Sequence, residues 1–563
     1  MYMKNFLSYC VLFVEFRFVF GKRACPGNNP HDRSTWCDYD IHTDYYSIAP
    51  DTGDTREYWF ELKEATLAPD GIPRYTQTIN GSIPGPTIYA NWGDEVIVHV
   101  TNHLSQSNNG TSIHFHGIRQ LNTNQNDGVV SITQCPTAPG DTITYKWRAT
   151  QYGTTWYHSH FSLQAWEGLI GGIVVEGPAS ANYDEDQGII ILTDWSHETP
   201  DELFIYAETS GPPYQENGLI NGTNVWGSGR DQVGERFTTQ FEPGTSYRLR
   251  LINTAIDTHF TFSIDNHTMT VIEADLVPVK PFTTDVLTIG IAQRYDVIVI
   301  ADQAHIADKF WMRAVPQTDC SNNNSTDNIR GIVYYGHRAH GTPTTIGYNT
   351  TTGCIDQTSS LSPVVPKVVD PNVAYYENET VTLGSTASGI LVWQVNDVSM
   401  LVDWKDPSLL QIYKHEDNWS NTSGVVKLDE ANEWAYVLIQ SDLTIPHPIH
   451  LHGHDFFVLE QGIGDYDASS HTPVSNLLNP PRRDTAMLLA GGYLLIAFQT
   501  DNPGAWLMHC HIGFHTVEGL AMQFIEQYSN IPDLIDPEVM SNTCEKWDQW
   551  QDSQRLVDDD SGI

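Results

Sequence analysis

Basic residues are scarce in this chain. Lysine and arginine together number 29 against 69 aspartates and glutamates, a formal charge of −40 over 563 residues. Such a surface repels phosphate and excludes nucleic acid as a partner. It suits a protein working in mildly acidic surroundings, where part of the charge is protonated. Long apolar runs are lacking too. Asn5 to Phe20 is apolar but broken by Glu15 and Arg17. It is too short and too charged to span a bilayer, and no later segment does better, so no membrane partner is expected. It reads as an imperfect signal peptide, with Lys22-Arg23 suiting a processing protease and Ala24 beginning the mature chain; the alternative is a wrongly assigned start. Helical periodicity is also scarce.

What is present is enough apolar residue, 40%, to bury several cores. The length suggests about three domains. Asn-x-Ser/Thr sequons at Asn80, Asn109, Asn221, Asn266, Asn324, Asn349, Asn378, Asn418 and Asn421 imply a glycosylated, secreted, extracellular protein. There are eight cysteines. Cys10 lies in the leader, and Cys510, between histidines, reads as a metal ligand. Cys25, Cys37, Cys135, Cys320, Cys354 and Cys544 remain and suit three disulfides, with about 15 pairings open on spacing alone.

Short alternating strands broken by Gly, Pro, Asn and Asp dominate. Val96, Val98 and Val100 alternate with Ile97 and His99; Tyr247, Leu249 and Leu251 alternate with Arg248, Arg250 and Ile252. Period two with frequent turn residues argues for β-sandwiches. A weak repeat runs through the chain. A strand ending in Asn102 leads to SIHFHG (112–117), one ending in Asn253 to TFSIDNH (261–267), and one ending in Gln440 to PHPIHLHGH (446–454). A second unit pairs TTWYHSH (154–160) with AWLMHCH (505–511). The middle repeat has Thr261 and Ser263 where the others carry His-x-His. The reading is three related sandwiches with metal chemistry in the outer two: a leader over 1–23, then domains over 24–180, 181–355 and 356–563, with a linker-like stretch at 340–365.

His114/His116, His158/His160, His450/His452 and His509/His511 are spaced by two. On a strand such residues project to one face, close enough to serve neighbouring metals. A lone pair of this kind is usually a surface or core imidazole. Four in matching repeat positions are hard to explain as packing, because clustered buried imidazoles are costly unless metal or solvent satisfies them. Cys510 faces the opposite way from His509 and His511, so it can hold one metal while they reach a second: a covalent bridge for electrons. With His447 and His515 it makes the His₂Cys set of a blue copper centre. Zinc favours more thiolates or a closed tetrahedral set and has no use for a bridge.

At this point the sequence resembles the multicopper oxidases, specifically ascomycete-type fungal laccases, over nearly its whole length. HFHG, nine residues, Asp127-Gly128, five residues and Gln134-Cys135-Pro136 resemble the first family motif. GTTWYHSHFSLQAWEGLIG (153–171), HPIHLHGH (447–454) and HCHIGFHTVEGL (509–520) resemble the others, with Ala165 where Tyr is usual. The resemblance implies an all-β fold of three cupredoxin-like Greek-key sandwiches and four coppers per chain. His447, Cys510 and His515 would hold the type 1 copper. His114 and His450 would hold type 2. His116, His158, His160, His452, His509 and His511 would hold the type 3 pair. His454 would not be a ligand. Leu520 stands where some relatives place a weak axial Met, and lacking that donor should raise the copper's potential relative to a Met-ligated site. Asp127 would help deliver protons to reduced oxygen, where spacing alone would call it a turn residue. Asp257 would accept the phenol's proton, where position alone would leave it a loop carboxylate. Gly513 replaces the acid many relatives carry as a second proton relay.

The implied activity is one-electron oxidation of phenols coupled to reduction of dioxygen to water, with a phenol docking near His515 and a monomer sufficing. The resemblance also selects the disulfides Cys25–Cys37, Cys135–Cys544 and Cys320–Cys354. The ending Asp558-Asp559-Asp560-Ser561-Gly562-Ile563 is similar to the processed tail of these enzymes, which implies that Ile563 plugs the channel to the copper cluster. Composition alone would make this tail a solvated end. Competing readings are a ferroxidase, an ascorbate oxidase, or a non-enzymatic copper-binding array with decayed ligands. Lignin breakdown, pigment synthesis and detoxification are all compatible roles.

Overall fold

The strand Glu95–Asn102 buries every second residue, with Val96, Val98 and Val100 fully enclosed, and Thr142–Arg148 alternates likewise. This period-two burial builds the computed structural model, which describes residues 25–105, 110–336, 341–350, 353–467, 477–554 and 561–563. The leader over 1–23, Asn109 and Asp558 to Asp560 lie outside the described residues.

The strands pair into three two-sheet sandwiches. The first joins the four-stranded sheet of Arg74–Ile79, Thr55–Leu67, Glu95–Asn102 and Thr142–Arg148 to a second four-stranded sheet that carries His114–His116 and Gly153–His158. The second and third each join a six-stranded to a five-stranded sheet. Strands of the second run from Glu185–Trp195 to Arg330–Tyr335, and those of the third from Tyr375–Ser385 to Ala521–Glu526. The class expected from alternation is the class observed. All three expected disulfides are formed, and Cys135–Cys544 ties the first sandwich to the C-terminal helix Pro537–Gln554.

One alternating strand behaves differently from the simple pattern. In Ser246–Asn253, Arg248 and Arg250 are as buried as Leu249 and Leu251. The outer face of this sheet is an interface with the first sandwich. Arg250 reaches Asp186 at 2.7 Å, Asp296 at 3.2 Å and Thr154 Oγ1 at 2.9 Å, and Arg248 pairs with Asp296 and Glu273. Buried charges persist because each is paired and hydrogen-bonded.

Each sandwich also closes an early hairpin in the same way. Asn80, Asn221 and Asn396 sit at φ of 53°, 48° and 51°. The Asn80 carboxamide accepts from Glu61 N (2.7 Å) and donates to Trp59 O (3.0 Å), and Asn221 accepts from Ile191 N (2.6 Å) and donates to Ile189 O (3.0 Å). Asn396 repeats this with Thr380 N (2.8 Å) and Asn378 O (3.4 Å). Replacing Asn80 or Asn221 by Ala removes two hydrogen bonds and leaves a β-carbon in the left-handed region. Each change is expected to cost about 2–4 kcal/mol in a thermal or denaturant melt. Unchanged melting would show that the carboxamides contribute nothing.

Candidate metal centre

The sites follow from strand register. His447–Leu451 pairs antiparallel with Gly504–Cys510, setting Ile449 opposite Cys510 and His450 opposite His509. His447 and Cys510 therefore point into the third sandwich. His450, His452, His509 and His511 point from its other face toward the first. There His114–His116 pairs with Gly153–His158, His114 opposite His158. Eight imidazoles meet between the two sandwiches, each no more than 6% exposed. His116 stacks on His450 at 3.8 Å between centroids, and His114 lies 4.1 Å from His452.

The hydrogen bonds of the donor set fit it to metal. His114 Nδ1 donates to Asp127 O (2.7 Å), His158 Nδ1 to Ser159 O (2.9 Å), His450 Nδ1 to Asp484 O (2.7 Å) and His509 Nδ1 to Cys510 O (2.9 Å). His452 Nδ1 lies 2.8 Å from Asp127 Oδ2. These bonds select the tautomer that leaves Nε2 as a bare lone pair. His114, His158 and His450 Nε2 are buried with no hydrogen-bond partner, as are both nitrogens of His511. His116 is the reverse case: its Nε2 faces Asp484 Oδ1 at 3.2 Å and its Nδ1 has no partner. His452 Nε2 and His509 Nε2 face each other at 3.3 Å. Two lone pairs at that distance repel unless a cation lies between them. Burial and mutual repulsion hold His116, His158, His160, His450, His452, His509 and His511 below the ordinary imidazole range, with His509 at about 4, so these seven are neutral and free to ligate.

The second site is smaller. Cys510 Sγ lies 3.6 Å from both His447 Nδ1 and His515 Nδ1. Ligands in trigonal array around one ion at roughly 2.0–2.3 Å would stand about 3.5–4.0 Å apart, so the trio fits. Burial brings His447 to about 3 and pushes the Cys510 thiol well up, so deprotonation waits on a cation. Trp393 packs on His515 at 4.2 Å and on His447 at 4.8 Å. Leu520 lies beside Cys510 with no donor atom to offer.

The carboxylates fall as follows. Asp127 is fully buried beside His452, with Oδ1 3.2 Å from His114 Nδ1. Asp257 is 5% exposed, in the loop whose Ile256 O accepts from Gly513 N at 3.0 Å, next to the turn that carries His515. Burial and neighbouring Asp194 raise its pKa well above the usual carboxylate range. Asp194, unremarked in the sequence, accepts from the Ile256 and Asp257 amides at 2.9 Å each and so fixes that loop. Gly513 is explained by space: a β-carbon there would stand 2.5 Å from Trp166 and 2.8 Å from Ile256. His454 turns away from the cage to Glu526 at 3.1 Å.

Sequence reading missed Asp484. It faces His116, lies 3.6 Å from His450 Nδ1, and is gripped by both arms of Arg294 at 2.6 Å. Its sole sequence signal is two preceding arginines, and those point elsewhere: Arg483 to Asp275 at 2.8 Å. At the chain end, Ile563 is 2% exposed and lines a small cavity with His158, His160, His509 and His511.

Comparison with known proteins agrees with this geometry. Residues 61–180, 186–337 and 401–530 match three multicopper oxidase family models. The chain is 47% identical to Laccase-2 of Botryotinia fuckeliana, over 96% of this chain and 94% of that one. Its fold superposes on the laccase of Botrytis aclada with a TM-score of 0.91 at 46% identity, covering 95% of this chain and all of the other. Fet3p, a multicopper oxidase that functions in iron import, aligns with a TM-score of 0.79 at 26% identity, over 91% and 97% of the two chains.

Proposed function

This chain belongs to the multicopper oxidase family and is a copper oxidoreductase of the laccase type, and from that membership we propose that it oxidises phenols one electron at a time and reduces dioxygen to water. The observation that carries the reading is the pairing of a His₂Cys site with an eight-histidine cage joined by the single dipeptide links on either side of Cys510. We assign His447, Cys510 and His515 to one copper and the cage to three, His114 and His450 serving the type 2 ion and His116, His158, His160, His452, His509 and His511 the type 3 pair. The three sandwiches are taken as domains dividing near residues 180 and 355. The protein is proposed to be secreted, glycosylated and active as a monomer.

Copper bound at these residues supplies one-electron redox chemistry at the trio and multi-electron reduction of dioxygen at the cage. The chain's own groups do the rest. Asp257, kept basic by burial beside Asp194, accepts the phenolic proton while the substrate rests near His515. Cys510 and its flanking histidines provide a covalent route between the sites. Asp127 and Asp484 orient the cage imidazoles and hold protons at its edge, with Arg294 anchoring the latter. Cage and tail together exclude bulk water.

Asp257 gives the discriminating test. Phenol oxidation requires its deprotonated form, so kcat/KM for phenols should rise with pH along a limb set by its raised pKa. Asp257→Asn should remove that limb and slow phenols roughly 10²-fold or more while sparing a ferrocyanide-type donor that has no proton to lose. Oxygen uptake measured with a phenol, Fe(II) and ascorbate in parallel separates laccase from ferroxidase and ascorbate oxidase. Equal losses for phenol and ferrocyanide would remove Asp257 from the proton step, and preference for Fe(II) would replace the phenol reading.

A further inference from the structure

The threefold asparagine turn allows the three sandwiches to be compared residue by residue. Each carboxamide straddles one inward-facing strand residue: Phe60 between Trp59 and Glu61, Ile190 between Ile189 and Ile191, and Glu379 between Asn378 and Thr380. Phe60 and Ile190 are 1% exposed core residues. Glu379 occupies the same inward place and is 4% exposed. A carboxyl group there is costly without compensation. Asn396 donates to Glu379 Oε2 at 2.7 Å, a bond that an aliphatic or aromatic residue could not accept. The exception falls in the sandwich that holds the His₂Cys trio. Glu379 lies on the wall of a cavity of about 20 Å³, room for roughly one water, that Cys510 and Leu520 also line. The other walls include Val381, Val395, Ile439 and Met508.

We propose that Glu379 is a positioning residue for electron transfer, a buried proton acceptor that couples arrival of an electron at the His447–Cys510–His515 centre to uptake of one proton from solvent. The inference rests on reading that trio as the electron-accepting copper site. The balance is one electron from the phenol into the centre and one proton from water onto the Glu379 carboxylate. Both leave again when the electron passes to the cage. The sign follows from charge. A carboxylate on the wall of the cavity that Cys510 also lines favours the more positive, oxidised centre, and neutralising it favours the reduced one. Burial, with Glu377 on the same strand face adding to it, pushes Glu379 up to about 7, so the coupling operates near neutrality. The other titratable groups on the cavity wall are His509 and Cys510, which the metal ties up in the holoenzyme.

A redox titration of copper-loaded protein, followed at its visible thiolate absorption from pH 5 to 8.5, tests this. The wild-type potential should stay level at low pH and fall as pH rises through 7. A tenfold difference in Glu379 proton affinity between the two redox states corresponds to a total fall of about 59 mV for one electron. Glu379→Gln, neutral at every pH, should hold the wild-type low-pH value throughout. Glu379→Ile installs the residue of the second sandwich, should also be level, and reads the effect should the amide fail to fold. A Gln or Ile profile that falls like wild type, with the absorption intact, would overturn this inference alone. Absence of the absorption from wild type would overturn the copper reading and this inference with it.

Discussion

Cys510→Ser protein loaded with copper is expected to be colourless and inert toward phenols, yet to keep metal in the histidine cage. The sulfur is the one thiolate of the site, and an intense blue absorption belongs to a copper–thiolate bond. Serine is nearly isosteric, but its hydroxyl does not ionise at working pH and cannot replace that bond. The cage does not depend on sulfur. His511 N donates to Pro448 O at 2.7 Å, Cys510 N to Leu520 O at 3.1 Å, and His509 Nδ1 to Cys510 O at 2.9 Å. These bonds, none of which uses the Cys510 side chain, hold His509 and His511 in place together with the pairing of Ile449 opposite Cys510. Burying a hydroxyl in an apolar core costs about 1–3 kcal/mol, which a large three-sandwich protein tolerates. Metal content, visible absorption and oxygen uptake measure the three consequences separately. A blue mutant would refute the role of Cys510, and loss of all metal would refute the independence of the cage.

Removing Ser561 to Ile563 should lower turnover and copper retention roughly 10- to 100-fold while leaving the type 1 colour, the scale seen when groups supporting metal ligands are lost. The three residues are threaded into the molecule. Ser561 N donates to Val517 O at 2.9 Å, Val402 N to Ser561 O at 3.1 Å, Ser131 Oγ to Gly562 O at 2.6 Å, and Ser162 N to Ile563 O at 3.3 Å. Gly562 sits at φ 83°, and a β-carbon would stand 2.6 Å from Val402 O, so only glycine passes there. The partners come from all sides of the opening: Ser131 and Ser162 from the first sandwich, Val402 and Val517 from the third. Ile563 is thereby held in the cavity that four cage histidines also line. Adding one residue after Ile563 should harm the enzyme similarly by displacing it from that cavity. Full activity and copper content in both variants would make the tail an ordinary end.

Much of the copper site was legible because it is written in a local geometry. Residues two apart on a strand share a face, so four His-x-His pairs and a cysteine between histidines announce two back-to-back sites before any folding is known. The period-two runs of Val96 to Val100 likewise declare sandwiches. Asp484 and Arg294 were not legible. They are 190 residues apart in sequence and meet at the cage only because the second sandwich packs against the third. Asp194 is silent for the same reason, since its role is to receive two amides from a loop about 60 residues away.

The sequence by itself therefore determined the β class, the donor types, their division into a His₂Cys trio and an imidazole cage, and the chemistry those donors permit. Tertiary structure decided what alternation leaves ambiguous. Alternation says which residues share a face but not what covers it. Arg248 and Arg250 share a face that a second sandwich covers, so they became an interface instead of a solvated stripe. Gly513 has no carboxylate because Trp166 and Ile256 fill the space. Glu379, on a strand that reads equally well with either face outward, was turned toward the core by the clamp of Asn396 and the packing of the opposite sheet. Pattern is a property of neighbours in the chain, whereas burial and charge pairing are properties of neighbours in space.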